Sequence, residues 1–318
     1  MTLPITRRRL GSTDLKITPL VLGGNVFDWT ADRDASFAVL DAFVDGGGVL
    51  IDTADVYSAW VPGHRGGESE TVLGEWLKTS GKRDDVLIAS KVGMLPVDGQ
   101  ELAPANIAAA CEASLRRLGT DRIDVYFAHR DDENTPQEEV LTAFGRLVDA
   151  GKVRVIGASN FSAARLKSAI DLSRDGSLPR IHVLQPEYNL VSRHRFEGEL
   201  QDFCLQENIG VVPYYGLASG FLTGKYRSAA DQGQSIRGTR MTELLAGKGL
   251  DMLAALDAIA AETGATLAQI ALAWLIAQPG ISAPIASATS ATQLAELLPA
   301  MTLDLTPDQL DRLTDAGA

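Results

Sequence analysis

Asp52, Tyr57, Lys91 and His129 are four different ionisable side chains that follow three short apolar runs in order. Val49-Leu50-Ile51 leads into Asp52 and, five residues on, Tyr57; Val86 to Ser90 leads into Lys91; Asp124 to Ala128 leads into His129. Singly, each has an ordinary structural reading: a turn cap for Asp52, packing for Tyr57, a solvated strand end for Lys91, a satisfied loop histidine for His129. Together they make a device for delivering a proton near neutral pH. A lone tyrosine titrates at about 10 and is a poor acid at neutrality, whereas a neighbouring ammonium stabilises its phenolate and brings that value down. In this reading Lys91 supplies the ammonium and Asp52 holds Lys91. His129 hydrogen-bonds a carbonyl oxygen and turns it toward Tyr57. The set lacks a nucleophile, so whatever attacks the carbonyl carbon has to come from a cofactor, and hydride is the obvious candidate. A Schiff base on Lys91, as in an aldolase, is the competing chemistry and needs no nicotinamide.

Such groups need strand ends to hold them. Runs rich in Val and Ile recur at Pro19–Leu22, Val49–Ile51, Val86–Ala89, Ile123–Ala128, Val153–Ile156, Ile181–Leu184, Gly210–Pro213 and Ile281–Ala286, which makes eight candidate strands. Between them the apolar spacing turns helical, as in Ile107, Cys111, Leu115 and Leu118, or Val140, Leu141, Phe144, Leu147 and Val148. Thr135 with Glu138 predicts a capping box, Pro136 the first helical position, and Gly151 the residue past that helix. Eight continuous apolar strands alternating with amphipathic helices predict a (β/α)8 TIM barrel, with an open doubly wound sheet as the alternative. In a barrel, polar groups at the carboxyl ends of strands face one mouth. Arg8 to Thr18 predicts an N-terminal β-hairpin, turning at Gly11 to Asp14, across the opposite end. Ser219 to Gly238 is the longest irregular stretch, and extra helix follows from Asp251 to Glu262 toward the C-terminus. A length of 318 residues allows about two domains or one barrel with additions; without a linker or fixed-period repeat, residues 1–318 are expected to form a single barrel domain.

With 29 Lys+Arg against 41 Asp+Glu, the net charge of −12 repels phosphate backbones and anionic membranes, so nucleic-acid and membrane partners are not expected. Cys111 and Cys204 stand far apart without zinc-ligand spacing, which points to a reducing compartment and to no metal. Arg7, Arg8 and Arg9 are not followed by an apolar signal segment, and no run of about 18 apolar residues occurs; a cytoplasmic location is the expectation.

IDTADVY at 51–57, Lys91 in IASKVG, His129 in DVYFAHRDDENTP, IGASNF at 156–161, QPEYN at 185–189 and SGFLTGKY at 219–226 form an ordered set. The chain, from Leu10 to about Leu298, resembles the aldo-keto reductase superfamily, and within it the group with bacterial reductases and potassium-channel β subunits. The resemblance implies a (β/α)8 barrel with a nicotinamide cofactor lying extended across its mouth, and a catalytic tetrad of Asp52, Tyr57, Lys91 and His129 with Tyr57 as general acid or base. It also implies that Ser159, Asn160 and Gln185 bind the carboxamide, that Tyr214 stacks on the ring, and that Gly24 and Asn25 form the floor beside Asp52. Leu217, Ser219 and Lys225 resemble the loop over the pyrophosphate, and Arg237 the basic residue on the adenosine phosphate. Ser287, Thr289, Gln293 and Glu296 fall where the family holds the adenosine end.

Two departures stand out. Tyr215 and Gly216 replace the family's usual Ser-Pro after the stacking aromatic, and no basic residue stands at Ser287 to Thr289, with Leu297 where Asn is usual. Ser290 and Gln293 make a further capping-box pattern, opening a helix whose N–H groups suit an anion, and Thr289 has a hydroxyl for a 2′-phosphate. With Lys225 and Arg237 supplying charge, NADP(H) is expected ahead of NAD(H). Relative to the family, the chain inserts Trp60, Pro62, Gly63 and His64 between Tyr57 and Glu68. Trp29, Trp60 and the segment from Arg130 to Asn134 are read as the substrate wall, suited to a flat or cyclic apolar ligand. The expected activity is reversible hydride transfer between a small-molecule aldehyde or ketone and its alcohol. A cofactor-binding regulatory subunit with incidental turnover is the second reading, and an oligomer is compatible with both.

Overall fold

The computed structural model describes residues 5–97, 100–234 and 238–317, so the Arg237 expectation lies outside the described residues. After a hairpin of β1 (Arg8–Arg9) and β2 (Lys16–Ile17), strands and helices alternate: β3 (Val21–Gly23), α1 (Arg33–Asp45), β4 (Leu50–Asp52), α2 (Glu68–Ser80), β5 (Leu87–Val92), α3 (Pro104–Leu118), β6 (Ile123–Ala128) and α4 (Gln137–Asp149). There follow β7 (Val153–Ser159), α5 (Ala163–Leu172), β8 (Ile181–Gln185), α6 (Glu199–Gln206) and β9 (Gly210–Val211). Next come α7 (Thr242–Leu245), α8 (Gly249–Thr263), α9 (Leu267–Ala277), β10 (Ile285–Ala286), α10 (Ala291–Leu297) and α11 (Pro307–Ala316).

β3 to β10 form one parallel sheet in the order β10-β3-β4-β5-β6-β7-β8-β9. Its two edges meet: Ser282 N donates to Val211 O at 2.8 Å, and Ile285 N to Pro213 O at 2.8 Å. The expected eight-stranded barrel is therefore present, and the open sheet is excluded. All eight strands fall on the runs read from sequence, because Val and Ile buried on both faces leave no polar alternation to obscure them.

The barrel interior is a cluster of Val21, Leu50, Ala89, Val125, Phe127, Val155, Val183, Val212 and Ile285. Leu10, Leu15 and Ile17 from the hairpin join the same cluster and close the end opposite the strand carboxyl termini, as expected. Contact there is tight enough that a Cβ on Gly11 would collide with the backbone of Gly210. At mid-barrel Gly157 makes room for Phe127, whose ring carbons lie 2.5 Å from where a Gly157 Cβ would stand.

Two local expectations are corrected. Thr135 does not cap α4: its hydroxyl donates instead to Asp132 Oδ2 at 2.9 Å, and Pro136 takes the cap position without a side-chain bond, while Gly151, at φ 71°, is the residue past the end of the helix, as expected. At α10, Ser290 Oγ accepts from Gln293 N at 3.2 Å, but the reciprocal arm is missing because Gln293 Oε1 accepts from Thr289 N and Oγ1. The irregular stretch after β9 is 3-10 turns at Ala218–Thr223, Ala229–Gln234 and Gly238–Met241. Among the described residues no single helix is long and apolar enough to cross a membrane; α8 and α9 pass only as a pair bent by 96°.

Candidate active site

β4 and β5 end side by side, and this adjacency brings the first three ionisable groups together. Lys91, fully buried, uses all three ammonium hydrogens: Nζ donates to Asp52 Oδ2 at 2.7 Å, to Thr53 O at 2.8 Å and to the Tyr57 hydroxyl at 2.7 Å. The Tyr57 hydroxyl in turn donates to Asp52 Oδ2 at 3.0 Å. Tyr57 reaches this position because the next residue, Ser58, adopts φ 71° and ties the loop to the turn after β3 by donating to Phe27 O at 2.9 Å. His129 follows β6, with its ring 6.0 Å from that of Tyr57 and Nδ1 buried without a partner.

The electrostatics depart from the sequence expectation in one respect. Lys91 is expected to lower the pKa of Tyr57, but burial of the phenol, reinforced by the Asp52 carboxylate, pushes it well above its ordinary value. Burial likewise pulls Lys91 down against the pull of Asp52. His129 is held well below its usual range, first by burial and then by Lys91 and Arg130, so it is a neutral imidazole at physiological pH.

Around this core lie the residues matched to the nicotinamide. Gly24 N donates to Asp52 O at 2.7 Å, and a Cβ on Gly24 would press on Asp52 O and Ser69 Oγ, both 3.0 Å away. Gln185 Nε2 donates to Asp52 Oδ1 at 2.9 Å. Ser159 Oγ donates to Gln185 O at 2.8 Å, Asn160 Nδ2 to His129 O at 2.9 Å, and the Tyr214 hydroxyl to Asn160 Oδ1 at 2.7 Å. Thus Asp52, Tyr57, Lys91, His129, Gly24, Ser159, Asn160, Gln185 and Tyr214 form one continuous polar patch at the strand ends.

The remaining matched residues flank it. Ser287 Oγ donates to Asn25 Oδ1 at 2.6 Å, joining β10 to the turn after β3. Thr289 and Gln293 bond each other, while the Glu296 carbonyl accepts from Gln269 on α9. Leu217 and Ser219 stand in the loop after β9, where Ala218, Ser219 and Gly220 have φ of 47°, 57° and 95°. The absent Cβ of Gly220 lets Lys225 Nζ come to 3.2 Å of that position. Trp29 and Trp60 meet edge to face at 5.4 Å, and Trp60, about half exposed, lies 6.2 Å from Tyr57. Arg130, also half exposed, is 3.9 Å from Glu101.

Sequence reading missed a second polar layer behind the tetrad. Glu70 of α2 is fully buried; its Oε1 accepts from Ser90 Oγ at 2.5 Å, and its Oε2 from Arg117 Nε at 2.7 Å. Gly67 leaves the space through which the Arg117 side chain passes. Next to Glu70, Ser69 Oγ donates to Gly24 O at 2.8 Å and shares a 2.8 Å hydrogen bond with Thr53 Oγ1. One helical turn thereby clamps the ends of β3, β4 and β5. The signal was available: Glu70, Leu73 and Leu77 share the i, i+3, i+7 face that turns inward.

The fold is thus a closed (β/α)8 barrel that gathers Asp52, Tyr57, Lys91 and His129 at its carboxyl mouth. Comparison with known proteins gives the family. A family-wide profile described as "Aldo/keto reductase family" matches residues 19–318, and the chain belongs to that family. Among similar proteins, a probable voltage-gated potassium channel subunit beta of Arabidopsis thaliana is 33% identical, over 96% of this chain and 94% of its own. An uncharacterized oxidoreductase, YrpG, of Bacillus subtilis is 32% identical over 96% and 94%. An L-glyceraldehyde 3-phosphate reductase of Escherichia coli is 30% identical over 92% and 87%.

Proposed function

We propose that this protein is an NADP(H)-dependent reductase of small aldehydes or ketones, reversible toward the alcohol, with Tyr57 as general acid and base. The observation that carries the reading is the Tyr57 hydroxyl held between Lys91 and Asp52, beside a neutral His129 with an unpartnered ring nitrogen. The residues present fit a nicotinamide dinucleotide. Gln185, with one amide hydrogen given to Asp52, keeps a donor and an acceptor for a carboxamide, Asn160 keeps a lone pair on Oδ1, Tyr214 offers an aromatic face, and Lys225 over Gly220 a charge for phosphate. When bound, that cofactor supplies the hydride.

The chain's own residues then have separate tasks. His129, neutral, donates a hydrogen bond to the carbonyl oxygen and orients it. Tyr57 gives that oxygen a proton as negative charge grows there. Lys91 stabilises the phenolate left behind, and Asp52, braced by Gln185, keeps the ammonium in place. An aldolase built on Lys91 is disfavoured because an ammonium donating three hydrogen bonds has no free lone pair for a Schiff base. Trp29 and Trp60 suit a flat apolar substrate face.

The name of the plant relative supports the second reading, a cofactor-binding regulatory subunit with incidental turnover. Fluorescence titration with NADPH and NADH, followed by NADPH consumption against a panel of aldehydes and ketones, tests the proposal. NADPH binding more tightly, with turnover of at least one carbonyl class, is the expected result. Binding without turnover of any carbonyl contradicts the reductase reading and favours the regulatory one.

A further inference from the structure

Asp55, two residues before Tyr57, is only 3% exposed, and its Oδ1 has no hydrogen-bond partner. The Val56 N–H donates to the Asp55 carboxyl, but an ionised carboxylate out of water with one oxygen unpaired is still costly, so the buried Oδ1 calls for a reason. The segment has little freedom to expose it. Asp55 N donates to Lys91 O at 3.3 Å, and a Cβ on Gly66 would come within 2.6 Å of Asp55 O.

The groups facing Asp55 come from each element around it: Glu70 from α2, Arg117 from α3, Lys91 from β5 and Tyr126 from β6, the last with an unpartnered hydroxyl near Cys111. Three acids, Asp52, Asp55 and Glu70, thus share two cations. Hydrogen bonds commit Lys91 to Asp52 and Arg117 to Glu70, which leaves Asp55 without a counter-charge of its own.

We infer that Asp55 is a positioning residue for the Lys91–Tyr57 pair: protonated, it leaves the full ammonium charge of Lys91 to the Tyr57 phenolate, and ionised, it competes for that charge. This rests on the reading of Tyr57 as proton donor. The surroundings favour the neutral form well beyond the ordinary carboxylate range, since burial and then Glu70 push Asp55 up to about 7. Proton donation by Tyr57 should therefore weaken as pH rises through that value.

Two measurements on the full chain test it. The first is thermal unfolding of wild type and Asp55→Asn between about pH 4 and 9. Because the folded state keeps a proton that the unfolded state has lost, wild type loses stability relative to Asp55→Asn from about pH 4 up to about 7, and the gap then levels. The second is the pH profile of kcat/KM for carbonyl reduction. Wild type should show a several-fold fall near neutrality that Asp55→Asn lacks. Glu70→Gln, which keeps the hydrogen-bonding shape but removes the charge, should move the fall to lower pH. A gap in melting temperature that does not change with pH, or a step that survives Asp55→Asn, overturns the inference. Should no carbonyl turn over, the reductase reading fails by itself, and the unfolding comparison still decides whether Asp55 carries the buried proton.

Discussion

Lys91 Nζ lies 2.7 Å from the Tyr57 hydroxyl and 2.7 Å from Asp52 Oδ2, so one buried ammonium holds both the phenol and its carboxylate neighbour. Removing one member of a buried pair strands the other's charge, at a cost of about 3–5 kcal/mol. Lys91→Met should therefore lose both turnover and stability. Adding Asp52→Asn to that variant should restore part of the stability and none of the turnover. Denaturant unfolding and steady-state rates on the two variants check this, and a double variant less stable than the single one would count against the stranded-charge account.

The two reaction directions should respond differently to pH. Because burial and Asp52 hold the Tyr57 proton well above its ordinary value, alcohol oxidation, which needs the phenolate, should keep rising with pH without levelling by about 10. His129, held well below its usual range, should give carbonyl reduction no acid limb at about 6.5. Initial rates in both directions across pH provide the check. An oxidation plateau near neutrality would mean that Lys91 outweighs burial after all.

Gly157 and Phe127 are packed so closely that the smallest side chain is too large. Gly157→Ala places a methyl against the Phe127 ring, inside the barrel, and should cost about 1–3 kcal/mol in unfolding free energy. A variant as stable as wild type would show that β7, which has a register shift at Ile156/Gly157, absorbs the methyl by moving.

Trp60 stands between the exposed rim and Tyr57. Trp60→Ala should lower kcat/KM for flat or cyclic apolar carbonyls by roughly 10-fold, the effect of losing a contact of about 1–2 kcal/mol, while leaving small aldehydes little changed. An equal loss on both substrate classes would assign Trp60 to packing of the inserted loop.

Much of this was legible in the residues. Barrel strands carry Val and Ile on both faces, so the eight runs stood out, and Asp52, Lys91, Ser159 and Gln185 each occupy the end of one. Ionisation was harder to read. Lys91 beside Tyr57 is apparent in the motif, but that burial and Asp52 override it depends on depth and distance. Thr135 illustrates a local competition, in which Asp132 three residues back took the hydroxyl that was expected to cap α4. Glu70 and Asp55 were read past because acidic residues are normally solvated; only the helical face of Glu70 hinted otherwise. Charge distribution shifted in meaning as well. On the proposed reading, a chain of net charge −12 has to concentrate positive charge locally to hold an anionic dinucleotide, and Lys225 at Gly220 is one described cation proposed for that task.

The most direct test of the central claim is NADPH consumption with an accepted carbonyl by wild type and Tyr57→Phe, together with NADPH fluorescence titration of both. Removing one phenolic oxygen should leave NADPH affinity within a few-fold and lower kcat by roughly 100- to 10,000-fold, the range typical of a lost general acid. Turnover undiminished in Tyr57→Phe, with NADPH still bound, would contradict proton donation by Tyr57.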